Sequence, residues 1–245
     1  MGTMTTNTLR IGNFTSSEIG ALMSDGKAKG TLGKTARTYI DECNMERELG
    51  RSLSEESNAR PLNWGRLLEK RVFSLLPMDY VLMGDETFQH PEFECWTGSP
   101  DALKHDTVVD VKCPITLKSF CNLVRPLYDG FEGMDAMNLI RENHKDGEKY
   151  YWQLVSNGII TGSKYAELIV YVPYLEELME IKALAIDSDE TQKLYWLINA
   201  DNEELPYLIN GKKFKNISII RFEIPQADKD ALTERVITAS KMLIK

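Results

Sequence analysis

Trp96-Thr97-Gly98-Ser99-Pro100-Asp101-Ala102-Leu103-Lys104-His105-Asp106-Thr107-Val108-Val109-Asp110-Val111-Lys112-Cys113-Pro114 decides the reading of this chain. An acid closes one short apolar run, and an acid and a lysine sit two apart in the next. Strand side chains alternate faces, so Asp110 and Lys112 share one side and Val111 points away. The polar residues Lys104 to Thr107 read as a hairpin connection, which returns Asp101 to the side of Asp110. Two carboxylates and an ammonium then converge on one small volume. That set suits a magnesium-dependent attack of water on a phosphodiester, with the acids holding a hard cation and the lysine orienting or deprotonating the water.

Working outward, the chain alternates helical and strand patterns. Thr15-Ser16-Ser17-Glu18 is a capping-box pattern that predicts a short helix through about Met23. A second helix is expected over about Thr35 to Leu49 and a third over Leu62 to Leu76. Two or three short strands follow between Tyr80 and Cys113. Pro114 stops the last, and Thr116 caps a helix to about Val124. Residues 126–147 mix Pro, Gly and charges and read as loop with one helical piece. Glu148 to Ile160 is a helix ended by Gly162. Tyr165 to Tyr174 is a buried strand, and Ile217 to Ile224 another. The tail from Asp228 sets Leu232, Val236, Ala239 and Leu243 on one helical stripe. Without a clean βαβ series, this order argues for an α/β fold with a mixed central sheet flanked by helices.

The 245 residues suffice for one sizeable core, and a single domain is the simplest organisation. The expected division is a basic helical region at 1–60, a core at 61–175 and a C-terminal strand and helix at 176–245. Composition, with 42% hydrophobic and 27% charged residues, is that of an ordinary soluble protein. From the polar start and the lack of a long apolar run, neither a signal peptide nor a membrane span is expected. The four cysteines show no CxxC pair or zinc-like spacing, and read as free thiols of a reducing cytoplasm. His90, His105 and His144 are isolated and read as ordinary surface or loop residues.

The net charge is −8, yet its distribution is uneven. Residues 1–40 hold five basic side chains (Arg10, Lys27, Lys29, Lys34, Arg37) against two acids, while residues 174–206 hold nine acids against two lysines. The segment Lys27 to Arg37, with glycines between Lys27, Lys34 and Arg37, suits close approach to phosphates. A solvated loop leading into a helix accounts for it equally well.

Ser99-Pro100-Asp101 and Asp110-Val111-Lys112 resemble the two core motifs of the PD-(D/E)XK nuclease superfamily. Gly98 to Leu103 followed by Asp110 to Pro114 is similar to the lambda exonuclease and YqaJ-type viral recombinase branch, as is the run from Ser16 to Ser24. The D-x-K triplet alone is common by chance, whereas the extended signature is specific. The similarity spans roughly residues 15–175 and implies a restriction-endonuclease-like core. It departs from the branch at Asp110, where Glu is frequent. The shorter side chain would shift the metal slightly.

The resemblance also bears on Glu69 and Gln153. On a helix Glu69 lies on the stripe of Gly65, Val72, Phe73 and Leu76, where an acid is costly unless paired or metal-bound. An exposed edge glutamate is the ordinary alternative. The family carries a glutamate in a Gly-x-x-x-Glu helix, which Gly65 to Glu69 matches, and this implies that Glu69 completes the metal site. Tyr150, Gln153 and Asn157 form a stripe that spacing alone assigns to the surface. The family's Tyr-x-x-Gln helix implies that Gln153 supports Lys112, its amide oxygen accepting from the ammonium.

The implied activity is hydrolysis of linear duplex DNA from its ends, 5′ to 3′, in phage-type recombination. Asp101, Asp110, the Val111 carbonyl and Glu69 would bind Mg²⁺ or Mn²⁺, with Lys112 on the water. Thr116 would start a helix that steadies a phosphate. Implied partners are DNA ends, a single-strand annealing protein and, in a trimeric ring, further copies of the chain. An endonuclease of restriction or repair type and a non-catalytic DNA-binding relative stay open as alternatives.

Overall fold

The structure is a computed structural model that describes residues 8–28, 30–53 and 59–244. Lys29 of the basic arm and the polar start lie outside the described residues. The central strand is β7 (Tyr165–Tyr171), buried from Ala166 onward. A strand covered on both faces needs apolar side chains at successive positions, which explains the unbroken run Leu168-Ile169-Val170. On one side β7 pairs in parallel with β6 (Thr107–Lys112), and on the other antiparallel with β8 (Ile217–Glu223). β5 (Ala102–Lys104) and β2 (Val81–Leu82) extend the sheet past β6, giving the mixed order β2-β5-β6-β7-β8. A smaller sheet joins β1 (Phe14–Thr15), β4 (Trp96–Gly98) and β3 (Phe88–Gln89).

Helices cover both faces of the five-stranded sheet, the α/β architecture expected from the sequence. One face packs Val108, Ala166, Leu168, Val170, Ile220 and Phe222 against α3 (Leu117–Tyr128), α4 (Gly133–Asn143), α5 (Gly147–Thr161) and α8 (Gln226–Ser240). α1 (Lys34–Leu49) joins this core through Ala36, Ile40 and Cys43. The other face packs Ala102, Val109, Val111, Ile169 and Tyr171 against α2 (Arg60–Leu75), α6 (Leu178–Ile186) and α7 (Thr191–Asn199). The parallel β6–β7 pair needs a long crossover, supplied by α3, α4 and α5.

The β5–β6 hairpin forms as read, with Ala102 opposite Val109 and Lys104 opposite Thr107. His105 takes the left-handed turn position at φ 51°, a conformation in which His is enriched among non-glycine residues. Elsewhere the molecule departs from the sequence expectations. Five short strands, not two or three, lie between Tyr80 and Lys112. Four of them have two or three residues, too few for alternation to register, and they exist through pairing with partner strands. The capping box at Thr15 does not form. Glu18 is itself helical at the N-cap, its carboxylate accepts from Lys149 Nζ at 2.7 Å, and Ile19–Met23 is a 3₁₀ turn.

Within 126–147, α3 continues through Pro126 to Tyr128, and α4 is a full helix whose Ala136, Met137 and Ile140 enter the core. Tertiary burial outweighs the local glycine and charge content there. The acidic region holds two helices ahead of the last strand, since Leu178, Ile181, Ala185, Leu194 and Leu197 are buried beneath an acidic outer face. His144 is buried rather than exposed. Its Nδ1 accepts from Asp146 N–H at 3.1 Å, so Nε2 carries the proton and donates to Ser119 Oγ at 2.8 Å. His90 is half-buried, stacked on Trp96 at 4.8 Å.

Candidate active site

β6 ends in Asp110, Val111 and Lys112, and the alternation holds: Val111 enters the core of the opposite face. Asp110 is fully buried. Its Oδ2 lies 2.6 Å from Lys112 Nζ, an ion pair whose angles are not those of a hydrogen bond. Apart from that ammonium, no hydrogen-bond partner reaches the oxygen. Its Oδ1 accepts from Gln153 Nε2 at 2.7 Å. This corrects the direction expected for Gln153. The glutamine turns its donor to Asp110 rather than its oxygen to Lys112. The stripe assigned by spacing to the surface therefore faces inward. Tyr150, on the same stripe, sets its ring 5.0 Å from Lys112 Nζ.

Asp101 enters from the other arm of the hairpin. Its backbone N–H donates to Val109 O at 3.1 Å, and its Oδ2 accepts from Val111 N–H at 2.6 Å. Burial, then the charges of Asp110 and Glu69, push its carboxyl well above the usual range. Glu69 projects from α2 and is half-buried. Its carboxyl is also pushed up, by burial first and by Asp110 second, with Asp85 adding to the same pressure. Burial alone would lower the Lys112 ammonium, but Asp110 and Asp101 outweigh it and hold the group above its ordinary value. The neighbouring Cys113 thiol is raised by burial and then by Glu69 and Asp101, so it stays protonated at neutral pH.

The donor set is all oxygen, its carboxyls repel one another, and the only partner of the buried Asp110 Oδ2 is the Lys112 ammonium. Those properties fit a hard divalent cation. As the side chains stand, no three His, Cys, Asp or Glu among the described residues form a ready ligand cluster. Asp101 is turned to the Val111 N–H instead.

The remaining predicted residues lie apart from this volume. Thr116 is the N-cap of α3, its Oγ1 accepting from Ser119 N–H at 3.2 Å, four residues beyond Lys112. Lys27, Lys34 and Arg37 are exposed and line a separate open cleft with Asp25 and Asp41. Lys34 begins α1, where the helix dipole disfavours a cation and a bound anion would offset the cost. Spacing assigned Tyr150 and Asn157 to the surface, and Asp85 was not singled out from the sequence. For Tyr150 and Asn157 the stripe shared with Gln153 was the available signal. Asp85 had none.

No protein-family model and no curated protein sequence matches the chain. Solved structures do match in fold. An alkaline exonuclease from Laribacter hongkongensis, LHK-Exo, superposes with a TM-score of 0.57 at 16% identity, over 95% of this chain and 89% of the other. LHK-Exo in complex with dAMP matches at a TM-score of 0.57 and 16% identity, over 97% and 91% of the two chains. A phage-related exonuclease from Haemophilus somnus 129PT gives a TM-score of 0.60 at 15% identity, over 94% and 92%.

Proposed function

We propose that this protein is a Mg²⁺- or Mn²⁺-dependent DNA exonuclease of the PD-(D/E)XK type that digests linear duplex DNA, 5′ to 3′, in phage-type recombination. One observation carries the reading. At the end of β6, Asp110 contacts Lys112 at 2.6 Å and Gln153 at 2.7 Å, while Asp101 accepts from the intervening Val111 N–H at 2.6 Å. Its setting is a fold shared with exonucleases over nearly the whole chain. LHK-Exo was captured with dAMP, a nucleotide of the kind that end-wise digestion releases.

Asp101, Asp110, the Val111 carbonyl and Glu69 would hold the cation, which supplies Lewis-acid activation of water and offsets charge developing on the phosphate. Lys112, kept protonated by its acids, orients the nucleophilic water as a cation and hydrogen-bond donor. Gln153 fixes Asp110, and the Tyr150 ring backs the ammonium. The start of α3 at Thr116, with Lys27, Lys34 and Arg37, contacts backbone phosphates. In this reading the protein works in the cytoplasm with a single-strand annealing protein. A ring of three copies would keep an acidic chain on DNA by topology. Among the described residues no helix is long and apolar enough to cross a membrane.

Digestion of linear and closed-circular duplex DNA, with Mg²⁺, with EDTA and with Lys112→Ala, tests the proposal. Linear DNA should be lost and the circle spared, with activity abolished by EDTA and lowered about 10²–10⁴-fold by the substitution. A cut circle would assign an endonuclease. No cleavage with any divalent metal would leave a non-catalytic relative.

A further inference from the structure

Two residues of the α5 stripe already touch the candidate site: Tyr150 lies beside Lys112, and Gln153 donates to Asp110. Asn157, one turn beyond Gln153, is fully buried, and neither its Nδ2 nor its Oδ1 has a hydrogen-bond partner. An unpaired amide is costly in an interior, and an apolar side chain would fill the same space without that cost. What Asn157 faces is Gly98. A methyl group on Gly98 would stand 2.2 Å from Asn157 Oδ1 and 2.4 Å from Ser16 Oγ. Only glycine therefore lets the amide lie against the backbone at this point.

Gly98 ends β4, and Ser99 and Pro100 lead from it to Asp101. The other side of the contact is fixed. Ser16 Oγ reaches Thr97 O at 3.3 Å and Ser156 Oγ at 2.7 Å, and Trp96 Nε1 donates to Ser156 Oγ at 2.8 Å. β4 is thus docked on α5 just before the chain turns into Asp101.

We propose that Asn157 is a positioning residue for Asp101: its amide, lying against Gly98, sets the end of β4 and so the point from which Asp101 reaches the metal volume. The inference rests on the nuclease reading. It makes α5 the common support of all three polar groups of the hairpin, with Tyr150 on Lys112, Gln153 on Asp110 and Asn157 on the approach to Asp101.

The test uses the full chain and Mn²⁺ itself. Mn²⁺ binding is titrated by calorimetry for the wild type, Asn157→Leu, Asp101→Asn and the double variant, and the Mn²⁺ dependence of DNA digestion is followed in parallel. Asn157→Leu keeps the branched skeleton but replaces the flat amide with bulkier methyl groups at the close contact with Gly98. It should weaken Mn²⁺ binding about 10-fold or more. The Mn²⁺ concentration for half-maximal rate should rise while the rate at saturating Mn²⁺ stays near wild type. In the double variant, the loss should not exceed that of Asp101→Asn alone, because both changes act through one ligand. Gly98→Ala, which presses on the same contact from β4, should weaken Mn²⁺ binding in the same way and serves if Asn157→Leu does not fold.

Wild-type Mn²⁺ affinity in Asn157→Leu or in Gly98→Ala, with DNA digestion intact, would overturn the inference and leave the nuclease reading standing. Additive losses in the double variant would also overturn it. A wild-type protein that neither binds Mn²⁺ nor digests DNA would sink the nuclease reading, and this inference with it.

Discussion

Gln153 contributes one hydrogen bond, yet that bond fixes the acid at the centre of the hairpin. Gln153→Leu should lower metal affinity about 10–100-fold, read as the Mn²⁺ concentration for half-maximal digestion. His144 gives a separate, pH-dependent expectation. Burial holds its imidazole below the ordinary value, so the folded state resists the proton that the unfolded chain accepts. Stability from this site is present above the unfolded pKa and falls as pH drops below about 6.5. Replacing it by Gln, which can still donate to Ser119, should flatten the fall in denaturation midpoint between about pH 6.5 and pH 5. Asp101, Asp110 and Lys112 were legible because strand alternation is strict and the hairpin is local. The inward turn of Tyr150 and Asn157 was not, because helical spacing fixes which residues share a face but not what that face meets.

At the scale of elements, α2 carries Glu69 and is clamped two residues later by Arg71. The guanidinium donates to Tyr171 Oη at 3.1 Å and to Glu177 Oε1 at 3.0 Å, and it also pairs with Glu180. Arg71 and Glu177 are both largely buried, so Arg71→Met would strand the glutamate. The expected cost is about 3–5 kcal/mol, measured as a shift in urea midpoint. Metal affinity should fall too, since the same helix presents Glu69. The long helices α1, α2 and α5 were readable from their periodicity and caps, Gly50 and Gly162 both taking the left-handed C-cap. The two-residue strands and the acidic helices α6 and α7 were not. Their formation depends on partners far away in sequence, which a local pattern does not contain.

For the whole molecule, the decisive fact is that β7 belongs to two cores at once. Leu168 packs on one face and Ile169 on the other. Loss of either core removes the support of the shared strand. Heating should therefore give one cooperative transition, with near- and far-ultraviolet circular dichroism coinciding. Leu168→Ala should cost about 2–5 kcal/mol and lower that transition without splitting it.

The long crossover between β6 and β7 has a consequence for how the candidate site is assembled. Asp110 and Gln153 are 43 positions apart and meet only when α5 docks beside a parallel strand pair. Such pairings close a large loop before they return any binding energy, and they form late. A chain emerging from the ribosome would carry the whole Asp101–Lys112 hairpin long before Gln153 could reach Asp110. Recovery of nuclease activity during refolding should then lag behind helix formation. On the proposed function, the order of assembly would keep the site idle until the fold around it is complete.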